Sequence, residues 1–154
     1  MRVLIQRVTN ASVLVADQEV GRIGLGLVLL LGVAIGDREE DAQYLVDKLV
    51  NLRVFPDDQG RFNLSALDKN ADLLVVSQFT LYADTRRGRR PSFTEAAAPD
   101  EAQRLYQYTI EACRDTGLKV ATGRFQEHMQ VRLENDGPVT LLLDSADRHR
   151  SRQG

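Results

Sequence analysis

A chain of 154 residues with 43% hydrophobic side chains is the size of one domain, and it buries about 70% of the surface exposed by its unfolded form. The formal net charge of −2 excludes a global attraction to nucleic acid or to anionic membrane, so any contact with a polyanion must come from a local patch. A single cysteine, Cys113, excludes an intrachain disulfide and is expected to be a buried structural thiol.

Residues 1–9 carry Arg2 and Arg7 and do not resemble a secretory leader. The uncharged run from Ile23 to Ile35 is far shorter than the roughly 20 residues that span a bilayer. A soluble, cytoplasmic protein with no membrane partner is expected. Arg2–Thr9 and Ala11–Ala16 are rich in Val, Leu and Ile and predict two strands broken at Thr9-Asn10. A turn at Asp17-Gln18 leads to a third strand, Glu19–Ile23. After Gly24-Leu25-Gly26, the continuously apolar Leu27–Ala34 predicts a strand buried on both faces.

Ala42, Leu45, Val46, Leu49 and Val50 follow the spacing of one helical face, and Asp37 with Glu40 suggests a capping-box start. Pro56 to Gly60 reads as a turn. Leu73–Ser77 predicts another central strand, running into Gln78-Phe79-Thr80-Leu81. A second helix begins near Pro99, with Ala102, Leu105, Tyr106, Thr109, Ile110 and Cys113 as its buried face and Gly117 at its end. Met129–Leu133 and Val139–Leu143 read as a hairpin joined by Glu134 to Pro138. The polar tail, residues 145–154, is expected to be mobile. These elements predict a single α/β domain over residues 1–144, with a mixed, curved, barrel-like sheet of about seven strands and two main helices packed on it.

Most familiar chemistries fail on residue inventory. The two histidines, His128 and His149, come without an HExxH motif or a cysteine pair, so neither a metal nor another cofactor is expected. A Ser-His-Asp site would need His128, but no G-x-S-x-G elbow accompanies it; His128 reads as a loop residue before a strand. The glycines of Gly21 to Gly26 precede a strand rather than a helix and lack a Walker lysine.

Three local features remain. Ser77-Gln78-Phe79-Thr80 places polar side chains at the end of an apolar strand, where they either face solvent or serve a ligand site. Arg86, Arg87, Arg89 and Arg90 fall within five residues of a loop; they form either a solvated basic loop or a phosphate-binding patch. Asn135-Asp136-Gly137-Pro138 is either an ordinary turn or a special backbone site.

Together these segments resemble the D-aminoacyl-tRNA deacylase (D-tyrosyl-tRNA deacylase) family. The matching stretches include Ile5-Gln6-Arg7-Val8, Asn63-Leu64-Ser65, Val75 to Leu81, Arg90-Pro91-Ser92-Phe93, Thr122-Gly123-Arg124-Phe125 and Asn135 to Thr140. The resemblance implies a homodimer acting on the aminoacylated 3′ end of tRNA. A cis Gly137-Pro138 segment from one subunit would enter its partner's pocket beside Ser77, Gln78, Phe79 and Thr80. Its carbonyls would reject L side chains, leaving D-aminoacyl-tRNA and glycyl-tRNA as substrates.

The same resemblance implies that the Phe79 and Thr80 N–H groups stabilise an oxyanion, while Gln78 orients the substrate. Phe125 and Met129 would line the adenine site, Arg7 would support Gly137-Pro138, and the four loop arginines would contact acceptor-stem phosphates. Thr80 as nucleophile competes with a water assisted by the terminal ribose 2′-hydroxyl; the scarcity of general bases favours the water. The alternatives are a non-catalytic tRNA-binding module and a threonine-nucleophile esterase of small esters.

Overall fold

In the computed structural model, which describes residues 1–152, the first two predicted strands are one: β1, Arg2–Val15. Val8 pairs with Asn135 and Asn10 with Glu134, so Thr9 is an extra residue with no counterpart on the partner strand. Such a bulge slips the alternation by one and exchanges the two faces. Val3 and Ile5 accordingly face the core beneath the helices, whereas Ala11 and Val13, beyond the bulge, join Val8 in a second core inside the curved sheet. What resembled a chain break is a change of face within one strand.

A turn with positive φ at Ala16 and Asp17, one residue earlier than expected, leads to β2 (Gln18–Ile23) and then β3 (Gly26–Gly32). Helix α1 is Glu39–Asn51. Its start is not the predicted Asp37–Glu40 box: the Asp41 carboxylate accepts the Arg38 N–H at 2.8 Å, and Asp37 accepts that of Ala34 at 2.7 Å. A small hairpin of β4 (Phe55–Pro56) and β5 (Phe62–Leu64) precedes the short α2 (Ala66–Lys69), which sequence periodicity did not reveal. Ser65 and Asp68 cap α2 reciprocally at 3.0 and 2.9 Å. Then follow β6 (Asp72–Ser77), a 3₁₀ turn (Phe79–Tyr82), α3 (Pro99–Asp115), β7 (Val120–Thr122) and β8 (Gln130–Asp144). The described residues thus contain eight strands and three helices, with α1 and α3 the two main helices.

The sheet runs β2-β1-β3-β6-β7, with β8 along the length of β1. The β3–β6 and β6–β7 pairs are parallel and the others antiparallel. It curls until β2 meets β7: a Cβ at Gly21 would lie 2.6 Å from the Thr122 carbonyl oxygen, so only glycine permits that approach. Strand β6 is buried on both faces, with Leu73 and Val75 toward the helices and Leu74 and Val76 toward the inner core. Cys113 is buried in the helix-side core, and burial pushes its thiol up to about 12.

The predicted C-terminal hairpin is absent, because both of its halves belong to β8 and pair with β1. Gln6 pairs with Thr140 and Val8 with Asn135, leaving residues 136–139 looped out opposite Arg7. Asn135 staples this loop by donating to the Val139 carbonyl at 2.9 Å and accepting the Val139 N–H at 3.2 Å. The amide side chain substitutes for the ladder bonds that the loop interrupts, so the strand resumes. Pro138, which has no N–H, is accommodated at this irregularity of an edge strand.

The tail is also more ordered than expected. Ser145–His149 forms a 3₁₀ turn, Ser145 is buried with its N–H 2.8 Å from the Met1 carbonyl oxygen, and Arg148 lies 3.4 Å from Asp41. Gln153 and Gly154 lie outside the described residues. No helix among the described residues is long and apolar enough to cross a membrane.

Candidate active site

Strand β6 ends where its backbone leaves the extended region at Gln78 (φ −142°, ψ 77°). The Gln78 N–H still reaches the Leu31 carbonyl at 2.7 Å, which pins the site to β3. Beyond it the chain tightens into the 3₁₀ turn rather than continuing as the strand suggested by the sequence. Gly32 allows this turn to lie close, since a Cβ there would be 3.1 Å from the Gln78 carbonyl oxygen. Arg2 holds the far end, donating to the Leu81 carbonyl at 2.9 Å with its guanidinium 4.5 Å from the Tyr82 ring centroid.

The first donors of such a turn have no partner within it. Leu81 N–H reaches Gln78 and Ala83 N–H reaches Thr80, but the Phe79 and Thr80 N–H groups make no hydrogen bond among the described residues. The Gln78 amide donates to Thr80 Oγ1.

Beside this turn lies a cleft of about 820 Å³. Val76, Ser77, Gln78 and Phe79 form one side; Phe93, Ala96 to Ala98 and Pro99 form another; Phe125 to Met129 close it. An apolar concavity with a few polar groups suits a flat organic ligand. Phe125 rests on Tyr106 of α3, with ring centroids 5.8 Å apart, and the Tyr106 hydroxyl donates to the Val75 carbonyl at 3.1 Å. Burial pushes the Tyr106 phenol up to about 12, so it stays a donor at neutral pH. Met129 is fixed by its own loop: the Arg124 N–H approaches Sδ at 3.3 Å, and a Cβ at Gly123 would meet that sulfur at 2.6 Å.

Of the residues expected from sequence, Ser77, Gln78, Phe79, Phe125 and Met129 meet in this cleft, and Thr80 adjoins it without lining it. Phe93, Ala96, Ala97 and His128 also line the cleft, although the sequence points to none of them as a site residue; Phe93 stands out there only within the motif Arg90 to Phe93. No periodicity marks Ala96 or Ala97, because they lie in irregular chain between Phe93 and α3. His128 is a loop residue before a strand, as expected, but it is exposed at the cleft, which its sequence position does not reveal.

Gly137, Pro138 and Arg7 do not line the cleft of their own chain and form a second cluster. Arg7 is buried; it donates to the Val54 carbonyl at 2.6 Å and the Asp136 carbonyl at 3.0 Å, and its Nε lies 3.3 Å from the Asp136 carboxylate. Gly137 has φ +142°, a conformation suited to glycine, and the Gly137–Pro138 bond is cis. Both residues are exposed.

The arginine loop is closed by a reciprocal Asp84–Ser92 backbone pair at 2.7 and 2.9 Å. Asp84 grips Arg86 through Nε at 2.9 Å and Nη2 at 2.7 Å, and these hydrogen bonds bring its carboxyl down to about 2. Arg87, Arg89 and Arg90 are exposed and form no ion pair among the described residues.

Comparison with known proteins places these features in a family context. Residues 4–144 match the family model described as D-Tyr-tRNA(Tyr) deacylase. A D-aminoacyl-tRNA deacylase from Dehalococcoides mccartyi is 58% identical over 99% of this chain and 100% of its own length. One from Thermotoga petrophila is 55% identical over 95% of this chain and 98% of its own. Among solved structures, a c-Myc DNA unwinding element binding protein superposes with a TM-score of 0.88 at 38% identity, covering 94% of this chain and 98% of that one. A probable eukaryotic D-amino acid tRNA deacylase shares the fold at 21% identity, with a TM-score of 0.79 over 93% of this chain and 98% of that one.

Proposed function

Because this chain belongs to the D-Tyr-tRNA(Tyr) deacylase family, we propose that it hydrolyses the ester between a D-amino acid and the terminal adenosine of tRNA. The observation that carries this reading is the pair of unengaged N–H groups, Phe79 and Thr80, at the edge of the cleft. Backbone donors already aimed at the developing charge need no reorganisation when a tetrahedral intermediate forms.

Water adds to the ester carbonyl, the oxyanion rests on those N–H groups, and the acyl–oxygen bond to the ribose breaks. The ribose 3′-oxygen takes a proton and leaves as hydroxyl, while the D-amino acid leaves as its carboxylate. The neighbouring 2′-hydroxyl assists the water. Gln78 orients the ester, with Ser77 behind it, and Phe125 and Met129 hold the adenine.

Chirality comes from a second copy of the chain. Gly137 and Pro138 are exposed on the edge strand β8, beside the exposed apolar side chains Leu141 and Leu142. Inserted into the partner's cleft, their carbonyls stand where an L side chain would project. A D side chain points away, and glycine has nothing to reject. The arginine loop supplies sequence-independent phosphate affinity to a chain without net positive charge.

Single-turnover hydrolysis of D-Tyr-tRNA, L-Tyr-tRNA and glycyl-tRNA tests this assignment. The D-tyrosyl and glycyl esters are expected to be cleared and the L-tyrosyl ester to survive. Binding without release would leave a nucleic-acid-binding module, and a covalent acyl group on Thr80 would leave a threonine-nucleophile esterase.

A further inference from the structure

We propose that the Phe79 side chain, backed by Phe93, is a stacking shelf for the nucleobase immediately 5′ of the terminal adenosine, a cytosine in tRNA. The proposal rests on the hydrolytic reading above and extends it by one nucleotide. Phe79 is 56% exposed although it opens the 3₁₀ turn that follows β6. Its chemical role uses only the backbone N–H, which leaves the outward ring unexplained. Phe93 meets that ring edge-to-face, with centroids 4.9 Å apart and planes at 70°. This contact fixes the ring's orientation without covering it.

Sequence order along the adjoining segment supplies the second argument. Phe93 directly follows Ser92, which closes the arginine loop through Asp84. The aromatic pair therefore links the cleft, which both rings line, to the free cations of Arg87, Arg89 and Arg90. A single strand with its last base in the cleft and its phosphates on the arginines passes this ring. Aromatic faces accept bases by stacking irrespective of sequence, and an adjacent basic segment follows the backbone.

The test compares three D-tyrosyl esters: on adenosine, on the dinucleotide cytidylyl-adenosine, and on the same dinucleotide with the cytosine base removed. In the wild-type protein, kcat/KM is expected to rise about tenfold from the abasic dinucleotide to the complete one. Phe79→Leu should bring that ratio close to one, Phe93→Leu should reduce it in part, and Phe79→Trp should restore it. Each variant is compared with itself, so damage to folding or to the N–H pair cancels.

An absent base effect in the wild type, or a ratio unchanged in Phe79→Leu, would overturn the shelf; in the latter case the ring is covered by another element, such as a second copy of the chain. Equilibrium binding of the three amide-linked analogues reads the same ratio without turnover. Loss of hydrolysis with the binding ratio intact would refute the activity and keep the shelf.

Discussion

The Tyr106 hydroxyl and the Gly123 N–H converge on one acceptor, the Val75 carbonyl oxygen, at 3.1 and 3.0 Å. Helix α3 and the end of β7 are thus tied to the strand that leads into Ser77, and the Tyr106 ring supports Phe125 from behind. Tyr106→Phe removes one of two bonds to an acceptor that keeps the other, so a loss of about 0.5–1.5 kcal/mol is expected. Tyr106→Ala also removes the support of Phe125, with an expected cost of about 3–5 kcal/mol. Denaturant titration checks both values. In the deacylation assay, Tyr106→Phe should leave KM near wild type, whereas Tyr106→Leu should raise KM more than it lowers kcat.

Alkaline pH tests the same interior. Burial raises the Cys113 thiol from 9.0 to about 12 and the Tyr106 phenol from 10.0 to about 12. Both groups are neutral when protonated, and the fold favours that form. Their contribution is complete below the unfolded-state values and is lost as pH rises toward 12. Each proton retained only by the folded chain steepens the decline by about 1.4 kcal/mol per pH unit. Cys113→Ala should be less stable at pH 7, because it leaves a small cavity, yet show a shallower decline between pH 9 and 12. A parallel decline in the two proteins would contradict this assignment.

The sequence made the main elements legible because their buried faces are regular. The α1 and α3 stripes, and the uniformly apolar β3 and β6, required no tertiary information. The two misread strands share one cause: side chains that imitate turn signals while acting within a strand. Thr9-Asn10 resembles a break but is a bulge, and Asn135 to Pro138 resembles a hairpin turn but is a loop stapled by its own asparagine. The cleft was half legible. Its β6 side stood out as polar residues ending an apolar run, whereas Ala96, Ala97 and His128 belong to the site only through the path of the irregular chain. Arg7, more than 120 residues from its Asp136 partner, became a clamp only once β1 and β8 were paired.

The arginine loop predicts an uneven salt dependence. Arg87→Ala, Arg89→Ala and Arg90→Ala should each lower the slope of log affinity for tRNA against log salt by about 0.7–0.9. Arg86→Ala should lower it less, since Asp84 already neutralises that guanidinium through two hydrogen bonds. Asp84→Asn should raise the slope by freeing Arg86. Equal effects of all four arginine substitutions would mean that the Asp84–Arg86 pair opens on binding.

Arg7 predicts a link between stability and selectivity. Removing its guanidinium leaves the carbonyls of Val54 and Asp136 without their donor, an expected cost of about 2–4 kcal/mol for Arg7→Ala. Arg7→Lys should recover only part, because an ammonium lacks the fork that reaches both acceptors. With the loop less constrained, the ratio of D-tyrosyl to L-tyrosyl ester hydrolysis should fall about tenfold or more in Arg7→Ala. Unchanged selectivity in a destabilised variant would confine Arg7 to a structural role.

The choice between a protein nucleophile and a substrate-assisted water depends on Thr80 and His128. Thr80 Oγ1 accepts a hydrogen bond from the neutral Gln78 amide, a donor that cannot remove the hydroxyl proton. Thr80→Ala should therefore keep activity within about tenfold of wild type, whereas loss of a nucleophile removes far more. His128, exposed at the cleft, is the remaining imidazole to test. A general base there would cost about 10²–10⁴-fold on His128→Ala, but an effect below tenfold is expected. The large loss should instead follow a change in the substrate: a terminal 2′-deoxyadenosine should slow hydrolysis by about 10²-fold or more, because the positioned hydroxyl is gone. If the deoxy substrate is cleaved at the normal rate while His128→Ala is inactive, the imidazole activates the water and the ribose is a bystander.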